Sequence, residues 1–419
     1  MVYLCKALNL FFNKPAIYQP MLKCIAAMFV SLSFVMPAKA QQAYKQALPY
    51  RNYYHTRGGL NHFLSAVTQK HVATVAFLGG SITFNPGWRD KVCSYLKDRY
   101  PKTKFRFIQA GIPSLGSLPH AFRLKRDVLD SGRVDLLFLE AAVNDRVNGT
   151  DSLTQVRDLE GIVRHAKRNN PLMDIILMSF ADPDKSNDYG KGKTPAEVAN
   201  HELVAKYYNL PSINLAKEVY DKIQNKEFSW LNDFKDIHPA QFGQELYFAN
   251  IKSLLQSCAE QPVKKFAVTP LPKPLNKSNF EHGNYYSITN ADYDKNWAID
   301  DNWTPKDSLD TRPGFVNVPT LVTEKAGAEL TLPFNGTAIG MGVVSGGDAG
   351  VVSYSIDGGA FKETDLYTQW SGWLHLPWYV LFDGNLAKGR HVLKLKIAGH
   401  HNPNSKGNAC RIVYFLRNE

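Results

Sequence analysis

Cysteine is scarce in this chain, with 5 in 419 residues, and its spacing matches no zinc or redox motif. None of the 12 histidines lies four residues from another, so the His-x-x-x-His pattern of helical metal sites is missing. No phosphate-binding loop or dinucleotide fingerprint occurs either. We therefore expect no metal and no cofactor. The cysteines Cys93, Cys258 and Cys410 are expected to be small buried hydrophobic residues, with one disulfide as the alternative.

Long runs of like charge are also missing. The formal net charge is +11 at pH 7, and four of the lysines that contribute to it lie in the first 40 residues. No run of basic residues is interleaved with aromatic ones, so the pattern does not support nucleic-acid binding. A mildly basic surface favours an acidic polysaccharide more than a nucleic acid.

One apolar segment stands out near the N-terminus. Residues Met21 to Ala40 have a basic start, an apolar stretch and an Ala-Lys-Ala end, the pattern of a secretory signal peptide. The apolar core is shorter than the about 20 residues that a membrane span needs, which leaves an anchor as the weaker alternative. We expect residues 1–40 to be a signal peptide cleaved near Ala40, and the protein to be secreted or periplasmic without stable membrane insertion.

Residues 41–260 alternate short apolar runs with amphipathic stretches. This order predicts an α/β domain of three layers, with a parallel sheet covered by helices on both faces. The predicted strands are Val72–Leu78, Phe105–Ala110, Val134–Ala142, Asp174–Ser179 and Pro211–Leu215. The predicted helices are Trp88–Arg99, Leu118–Asp130, Leu153–Asn169, Thr194–Tyr207 and Phe242–Leu255.

The composition changes after this part of the chain. Residues 261–277 hold four prolines and several lysines, which is typical of a linker. Residues 278–419 are rich in glycine, aromatic residues and alternating apolar segments, and Asp357-Gly358-Gly359 is a hairpin turn signal. The pattern predicts an antiparallel β-sandwich of jelly-roll-like form as an accessory domain.

The chemistry centres on one serine and one histidine. Ser81 follows the first predicted strand, at the edge of the sheet where active residues of parallel sheets lie. A serine hydroxyl needs a base to accept its proton, and His238, with an acidic neighbour, is the candidate. Gly116 and Asn144 lie on the loops after the next two strands. With the Ser81 amide they could hold the oxyanion of an acyl-transfer reaction, where each donor contributes about 3 kcal/mol.

With these residues in place, the chain resembles the SGNH hydrolases, also called GDSL-type esterases. Four segments carry the resemblance, over about residues 72–255, and match the first, second, third and fifth family blocks: Gly79-Gly80-Ser81-Ile82-Thr83, the loop around Gly116, Val143-Asn144-Asp145 and Asp236-Ile237-His238-Pro239.

The resemblance implies a Ser-His-Asp triad of Ser81, His238 and Asp236, with an oxyanion hole made by Ser81, Gly116 and Asn144. Two assignments stay open. The family places its aspartate three residues before the histidine, where this chain has Lys235, so that Asp233 competes with Asp236. The oxyanion amide of the second block has three candidates: Gly111, Ser114 and Gly116.

Two further residues are candidates for contact with substrate. Trp88 could stack on a sugar or pack in the core, and Arg123, four residues before Asp127, could act near the site or form a surface ion pair. In the second domain, a sugar platform or a core cluster is expected from four aromatic residues: Trp370, Trp373, Trp378 and Tyr379.

These features predict a secreted serine esterase that removes short acyl groups, most simply acetyl, from an oligo- or polysaccharide through an acyl-enzyme. A lipid esterase or lysophospholipase is one alternative, since the same family uses the same residues on acyl chains. A polysaccharide-binding protein with a non-catalytic hydrolase domain is another. The sequence defines neither the glycan nor the oligomeric state.

Overall fold

The computed structural model describes residues 46–261, 268 and 270–419. The predicted signal peptide, residues 1–40, lies outside the described residues and stays a prediction. Within the described residues, no helix is long and apolar enough to cross a membrane.

The first half of the chain is built on a six-stranded sheet. Its strands are β1 (Tyr54–His55), β2 (Val72–Gly79), β3 (Lys104–Gly111), β4 (Leu136–Glu140), β5 (Asp174–Ser179) and β6 (Ser212–Asn214). They lie in the order β1-β6-β5-β4-β2-β3, and all neighbours are parallel except the short antiparallel edge strand β1. The predicted parallel α/β sheet is confirmed.

Helices cover both faces of this sheet. They are α1 (Asn61–Ser65), α2 (Ser81–Phe84), α3 (Trp88–Arg99), α4 (Ser117–Asp127), α5 (Ala142–Val147), α6 (Ser152–Asn169), α7 (Pro183–Gly190), α8 (Ala196–Tyr207), α9 (Leu215–Gln224) and α10 (Gln241–Ala259). Alternate residues of β2 show the two faces, because Val75 and Phe77 enter one hydrophobic cluster while Ala76 and Leu78 enter the other.

The strand predicted over Val134–Ala142 is too long. Strand β4 ends at Glu140, and α5 begins at Ala142. A buried strand and the first turn of a buried helix can both be continuously apolar. Hydrophobic periodicity alone therefore does not locate the boundary between β4 and α5.

The second half consists of two antiparallel sheets. Its strands are β7 (Gly283–Tyr286), β8 (Asp292–Tyr293), β9 (Ala298–Trp303), β10 (Val318–Thr323), β11 (Glu329–Gly336), β12 (Ala338–Ser345), β13 (Val351–Ile356), β14 (Lys362–Asp365), β15 (Leu376–Asp383), β16 (Gly389–Ile397) and β17 (Cys410–Asn418). One sheet has the order β15-β12-β17-β10-β9, with β7 on β17, and the other has β14-β13-β16-β11-β8. The predicted antiparallel sandwich is confirmed.

The sandwich packs against helices α4 and α6 of the parallel-sheet domain. Phe280 packs against Phe122 at a tilt, with 4.9 Å between ring centroids. The guanidinium of Arg126 lies 4.6 Å from the Tyr285 ring centre and 4.7 Å from that of Tyr414. The predicted linker does not hold the domains apart at its C-terminal end. The carboxylate of Glu160 accepts the amides of two residues there, Leu275 at 2.6 Å and Asn276 at 2.7 Å. The residues that the structure describes belong to a single compact unit, and the limits of the two domains stay a prediction.

The three cysteines of the described chain are free. Cys258 and Cys410 are buried, and Cys93 is half-buried. Burial raises the pKa of Cys93 to about 11 and that of Cys258 to about 12, so neither thiol is reactive at neutral pH. This agrees with the expectation of small hydrophobic residues over that of a disulfide.

Candidate active site

Ser81 is the first residue of α2 and directly follows β2 at the carboxyl edge of the sheet. The turn needs Gly80, because a Cβ there would overlap the side-chain oxygen of Asn144. This close contact gives a physical reason for glycine directly before Ser81.

His238 reaches Ser81 from the loop before α10. Its Nε2 lies 2.7 Å from Ser81 Oγ. The loop follows a short π-helical turn over Trp230–Phe234 and reverses at Lys235, whose φ is 75°. When Nδ1 of His238 carries the proton, Nε2 is free to accept one from the serine hydroxyl.

Two aspartates lie near this histidine, and they have different partners. Asp236 Oδ1 is 3.6 Å from His238 Nδ1 and accepts the His238 backbone N–H at 3.0 Å. Asp233 instead accepts the backbone N–H and the hydroxyl of Ser229, at 2.8 and 3.0 Å. Asp236 is therefore the carboxylate that faces the imidazole, while Asp233 fastens the preceding turn.

Of the three expected oxyanion residues, Ser81 and Asn144 line a pocket and Gly116 does not. Ser81 and His238 line a pocket of about 380 Å³, together with Ser114 and Asn144. Gly116 is buried behind it, where a Cβ would overlap Asp145 Oδ1. Of the three candidates in the second block, Ser114 is the one on the pocket wall. Its φ is 74°, a conformation that usually favours glycine.

Two buried aspartates, Asp145 and Asp158, meet at Ser117, which follows the Ser114 loop. Asp145 Oδ1 accepts the Ser117 amide at 2.7 Å and lies 2.9 Å from Ser117 Oγ, which is also 3.1 Å from Asp158 Oδ2. The Ser117 hydroxyl has one hydrogen and can donate it to only one of the two carboxylates. The short distance from its oxygen to the other carboxylate therefore favours a proton on one of the two aspartates. Burial raises the pKa of Asp145 to about 7, and burial with the nearby Asp145 raises the pKa of Asp158 well above its ordinary value.

Glu140, at the end of β4, is a third buried carboxyl beside the site. Burial raises its pKa to about 7, although its Oε1 accepts the Val143 amide at 3.2 Å. The carboxyl therefore fixes the start of α5, the helix that carries Asn144.

The expected substrate contact of Trp88 is wrong. Its side chain is fully buried, its Nε1 donates to the Ile82 carbonyl at 3.1 Å, and its ring packs edge-on against Phe77. The residue thus fixes the turn after Ser81 from inside the core.

The expected substrate contact of Arg123 is wrong as well. The guanidinium is fully buried and donates to the carbonyl of Ala110 at 2.6 Å and to that of Gly79 at 3.2 Å. Its ion pair with Asp127, at 2.8 Å, is not a surface pair. Arg123 ties the carboxyl ends of β2 and β3 together and so positions the strands that lead into the site.

Residues of the sandwich complete the pocket. Trp370 and Trp373 line it with rings nearly perpendicular at 5.8 Å, and Trp373 is 59% exposed. Trp378 packs against the sandwich core and Tyr379 is buried, so the predicted platform of four aromatics reduces to two. Arg312 also lines the pocket. Sequence reasoning missed it, because no motif links it to residues far earlier in the chain.

Within the described residues, no group of three or more histidine, cysteine, aspartate or glutamate side chains is placed to hold a metal ion.

With this geometry established, the chain can be compared with known proteins. Residues 77–246 match the GDSL-like lipase/acylhydrolase family. This segment of the parallel-sheet domain is therefore similar to that family. The match begins just before Ser81 and ends within α10, so it includes both Ser81 and His238. None of the curated proteins matches the chain.

Among solved structures, the chain is similar to a two-domain esterase (CEX) active on acetylated mannans, in a crystal structure with mannopentaose. The match covers 88% of this chain and 97% of that one, with a TM-score of 0.69 and 20% identity. The structure of that esterase without the mannopentaose matches equally well, over 98% of its chain. An acetyl xylan esterase from Geobacillus stearothermophilus matches 44% of this chain and 96% of its own, with a TM-score of 0.35 and 16% identity. The similarity to the two-domain esterase shows that the parallel-sheet domain and the sandwich share its fold.

Proposed function

We propose that the protein is a serine esterase that removes short acyl groups, most simply acetyl, from a carbohydrate. The single observation that carries this proposal is the 2.7 Å contact between His238 Nε2 and Ser81 Oγ at the wall of an open pocket. The family match supports ester hydrolysis as the reaction class. Export through the predicted signal peptide, residues 1–40, belongs to the same proposal.

In the first half-reaction, Ser81 Oγ attacks the ester carbonyl while His238 Nε2 takes the hydroxyl proton. The resulting imidazolium faces Asp236, whose negative charge stabilises it. His238 then gives the proton to the departing sugar oxygen, the carbon–oxygen bond of the ester breaks, and the acyl group remains on Ser81.

The oxyanion is held by donors on the pocket wall. We assign this role to the backbone amides of Ser81 and Ser114 and to the side-chain amide of Asn144. In the second half-reaction, water gives its proton to His238 and attacks the acyl-enzyme. Collapse of that intermediate releases the carboxylic acid and returns the proton to Ser81. No step needs a metal.

Aromatic side chains support a carbohydrate substrate. Trp373 presents an exposed ring in the pocket that Ser81 also lines, and aromatic rings of this kind suit the apolar face of a sugar. The fold is similar to that of an esterase active on acetylated mannans. A pocket of about 380 Å³, which must also admit part of the sugar, leaves room for a short acyl group.

The test is acetate release from a panel of acetylated polysaccharides, alongside p-nitrophenyl acetate and a long-chain ester. Wild type is compared with Ser81→Ala and with a control, Ser353→Ala, whose hydroxyl bonds Glu363 on the surface of the sandwich. We expect release from at least one glycan by wild type and the control, and a loss of about 10⁴-fold or more in kcat with Ser81→Ala.

The other outcomes assign the protein differently. Serine-dependent hydrolysis of the long-chain ester alone would make it a lipid esterase. An absence of Ser81-dependent turnover on every ester, with glycan binding retained, would make it a non-catalytic binding protein.

A further inference from the structure

Arg312 comes from the sandwich and stands at the wall of the catalytic pocket. Its Nε donates to Ser114 Oγ at 3.3 Å, and its Nη1 donates to the Thr311 carbonyl at 3.1 Å. Ser114 lies on the loop to which we assign an oxyanion amide. The guanidinium is therefore placed beside the position that the reacting ester occupies.

Within the described residues this guanidinium forms no direct ion pair, and the Asp310 carboxylate acts on it only through its charge. Two other arginines form direct ion pairs: Arg411 holds Asp348 with two bonds of 2.8 and 2.6 Å, and Arg164 bonds Glu281. Arg312 is also half-buried, and burial lowers the pKa of its guanidinium. A partly desolvated cation that feels the charge of Asp310 but forms no direct ion pair with it can still bind an anionic group of a ligand.

The two tryptophans beside Arg312 define what kind of ligand fits. Trp370 and Trp373 offer perpendicular rings on the same pocket wall. A sugar ring can lie against such a surface, and a carboxylate on that sugar or its neighbour can take the planar fork of an arginine with two hydrogen bonds. Without the four lysines of the predicted signal peptide the formal net charge of +11 falls to +7, which still favours an anionic polymer at longer range.

We propose, on the basis of the proposed esterase function, that Arg312 selects acylated glycans that carry uronate carboxylates, by binding one carboxylate next to the sugar whose ester is cleaved. The sandwich then contributes to specificity at the catalytic pocket itself, because Arg312 and both tryptophans belong to it.

The first experiment compares two forms of one polymer. O-acetylated polygalacturonate is supplied as the free carboxylate and after methyl esterification of its carboxyl groups, and acetate release is measured. We expect kcat/KM to be at least about tenfold higher on the carboxylate form, mainly through a lower KM, and the preference to shrink in 0.5 M NaCl because salt screens exposed charges. Equal rates on the two forms would overturn the role of Arg312 and leave the esterase function in place.

Three variants test whether Arg312 causes the preference for the carboxylate form of the polymer. Arg312→Met is expected to reduce the ratio of the two kcat/KM values to about one, and Arg312→Lys is expected to keep part of it, since it retains the charge without the fork. Ser114→Ala removes the contact with Arg312 Nε and should keep the ratio. If Arg312→Met lowers both rates together and the ratio stays high, the residue only supports the loop and the proposal fails.

A binding measurement separates this proposal from the esterase function. Calorimetry of unacylated oligogalacturonate with Ser81→Ala protein needs no turnover. We expect binding that is weakened at least about tenfold by adding Arg312→Met, with a neutral mannooligosaccharide unaffected by that change. Binding that does not depend on Arg312 would overturn the proposal. If neither acetylated polymer is hydrolysed by wild type, an Arg312-dependent affinity would still support the site while the esterase function fails.

Discussion

At the scale of single residues, the proposed catalytic pair, Ser81 and His238, rests on chemistry that few side chains can supply. A serine at a strand end needs a base within hydrogen-bond distance, and His238 Nε2 meets that condition at 2.7 Å. The acid is less constrained, because a carboxylate can stabilise the imidazolium from somewhat farther away. The two aspartates of the loop therefore provide the sharper test.

Asp236→Asn is expected to lower kcat/KM on p-nitrophenyl acetate by about 10- to 10³-fold, because it removes the charge 3.6 Å from His238 Nδ1. The matched variant Asp233→Asn is expected to cost much less activity. It should instead lower the melting temperature, because it weakens two hydrogen bonds to Ser229. A larger kinetic loss with Asp233→Asn at unchanged melting temperature would transfer the role of the acid to Asp233.

At the scale of elements, the loops of the site are held by buried carboxyls. Asp158 on α6 and Asp145 on α5 meet at Ser117, the first residue of α4. The Ser117 hydroxyl thus connects α4, α5 and α6. Because the pKa values of both carboxyls are raised, the free energy of unfolding of the protein is expected to fall as pH rises.

A buried carboxyl with a raised pKa binds more protons in the folded state, so the free energy of unfolding falls as pH rises from the unfolded pKa, about 4, towards the folded one. The folded pKa of Asp145 is about 7, and that of Asp158 is also raised. Asp158→Asn removes one of these groups. We expect the decline between pH 5 and 7 to become shallower, by up to about 1.4 kcal/mol per pH unit for each proton no longer taken up. Denaturant unfolding at several pH values measures this.

The control for this prediction lies at the start of the same helix. Asp151 caps α6 by accepting the Thr154 amide at 3.0 Å, and the Thr154 hydroxyl and amide lower the pKa of Asp151. Its contribution is present above the unfolded pKa and is lost only in acid. Asp151→Asn should leave the slope between pH 5 and 7 unaltered. If the free energy of unfolding of Asp158→Asn changes with pH as that of wild type does, the pair of Asp145 and Asp158 carries no extra proton in the folded state.

At the scale of the whole molecule, the two halves of the chain share a close interface. Gly161 on α6 lets the backbone of Phe280 approach, since a Cβ at that glycine would lie 2.7 Å from the Phe280 nitrogen. Arg157, on the same helix, donates to the carbonyls of Ser278 and Gly384, each at 2.8 Å. This interface fixes where Arg312 and the tryptophans meet the catalytic loops.

Gly161→Ala is expected to destabilise the protein by about 1–3 kcal/mol, although alanine is the better helix former, because the backbone of Phe280 has to move. Gly190→Ala, at the end of α7, is the control, since its Cβ would meet nothing nearer than 3.9 Å. Thermal unfolding of both variants checks the prediction. If the two melting temperatures agree with that of wild type, close packing at Gly161 does not hold the sandwich in place.

The sequence by itself determined the order of layers, and it predicted that Ser81 and His238 lie together, as they do at 2.7 Å. Alternation of apolar strands with amphipathic helices leaves a covered parallel sheet as the arrangement that buries both faces, and the structure confirms it. Helix Trp88–Arg99 and strand Asp174–Ser179 even have the predicted limits. Short elements such as α2 and α5 span too few residues for a periodic signal.

Only the tertiary structure decided which polar and aromatic residues face the pocket. Trp88 and Arg123 stand near the motifs in sequence, yet both are fully buried, while Arg312 reaches Ser114 from the other half of the chain. The physical reason is that exposure and long-range contact depend on how the sandwich packs on α4 and α6, and no local pattern of residues encodes that packing.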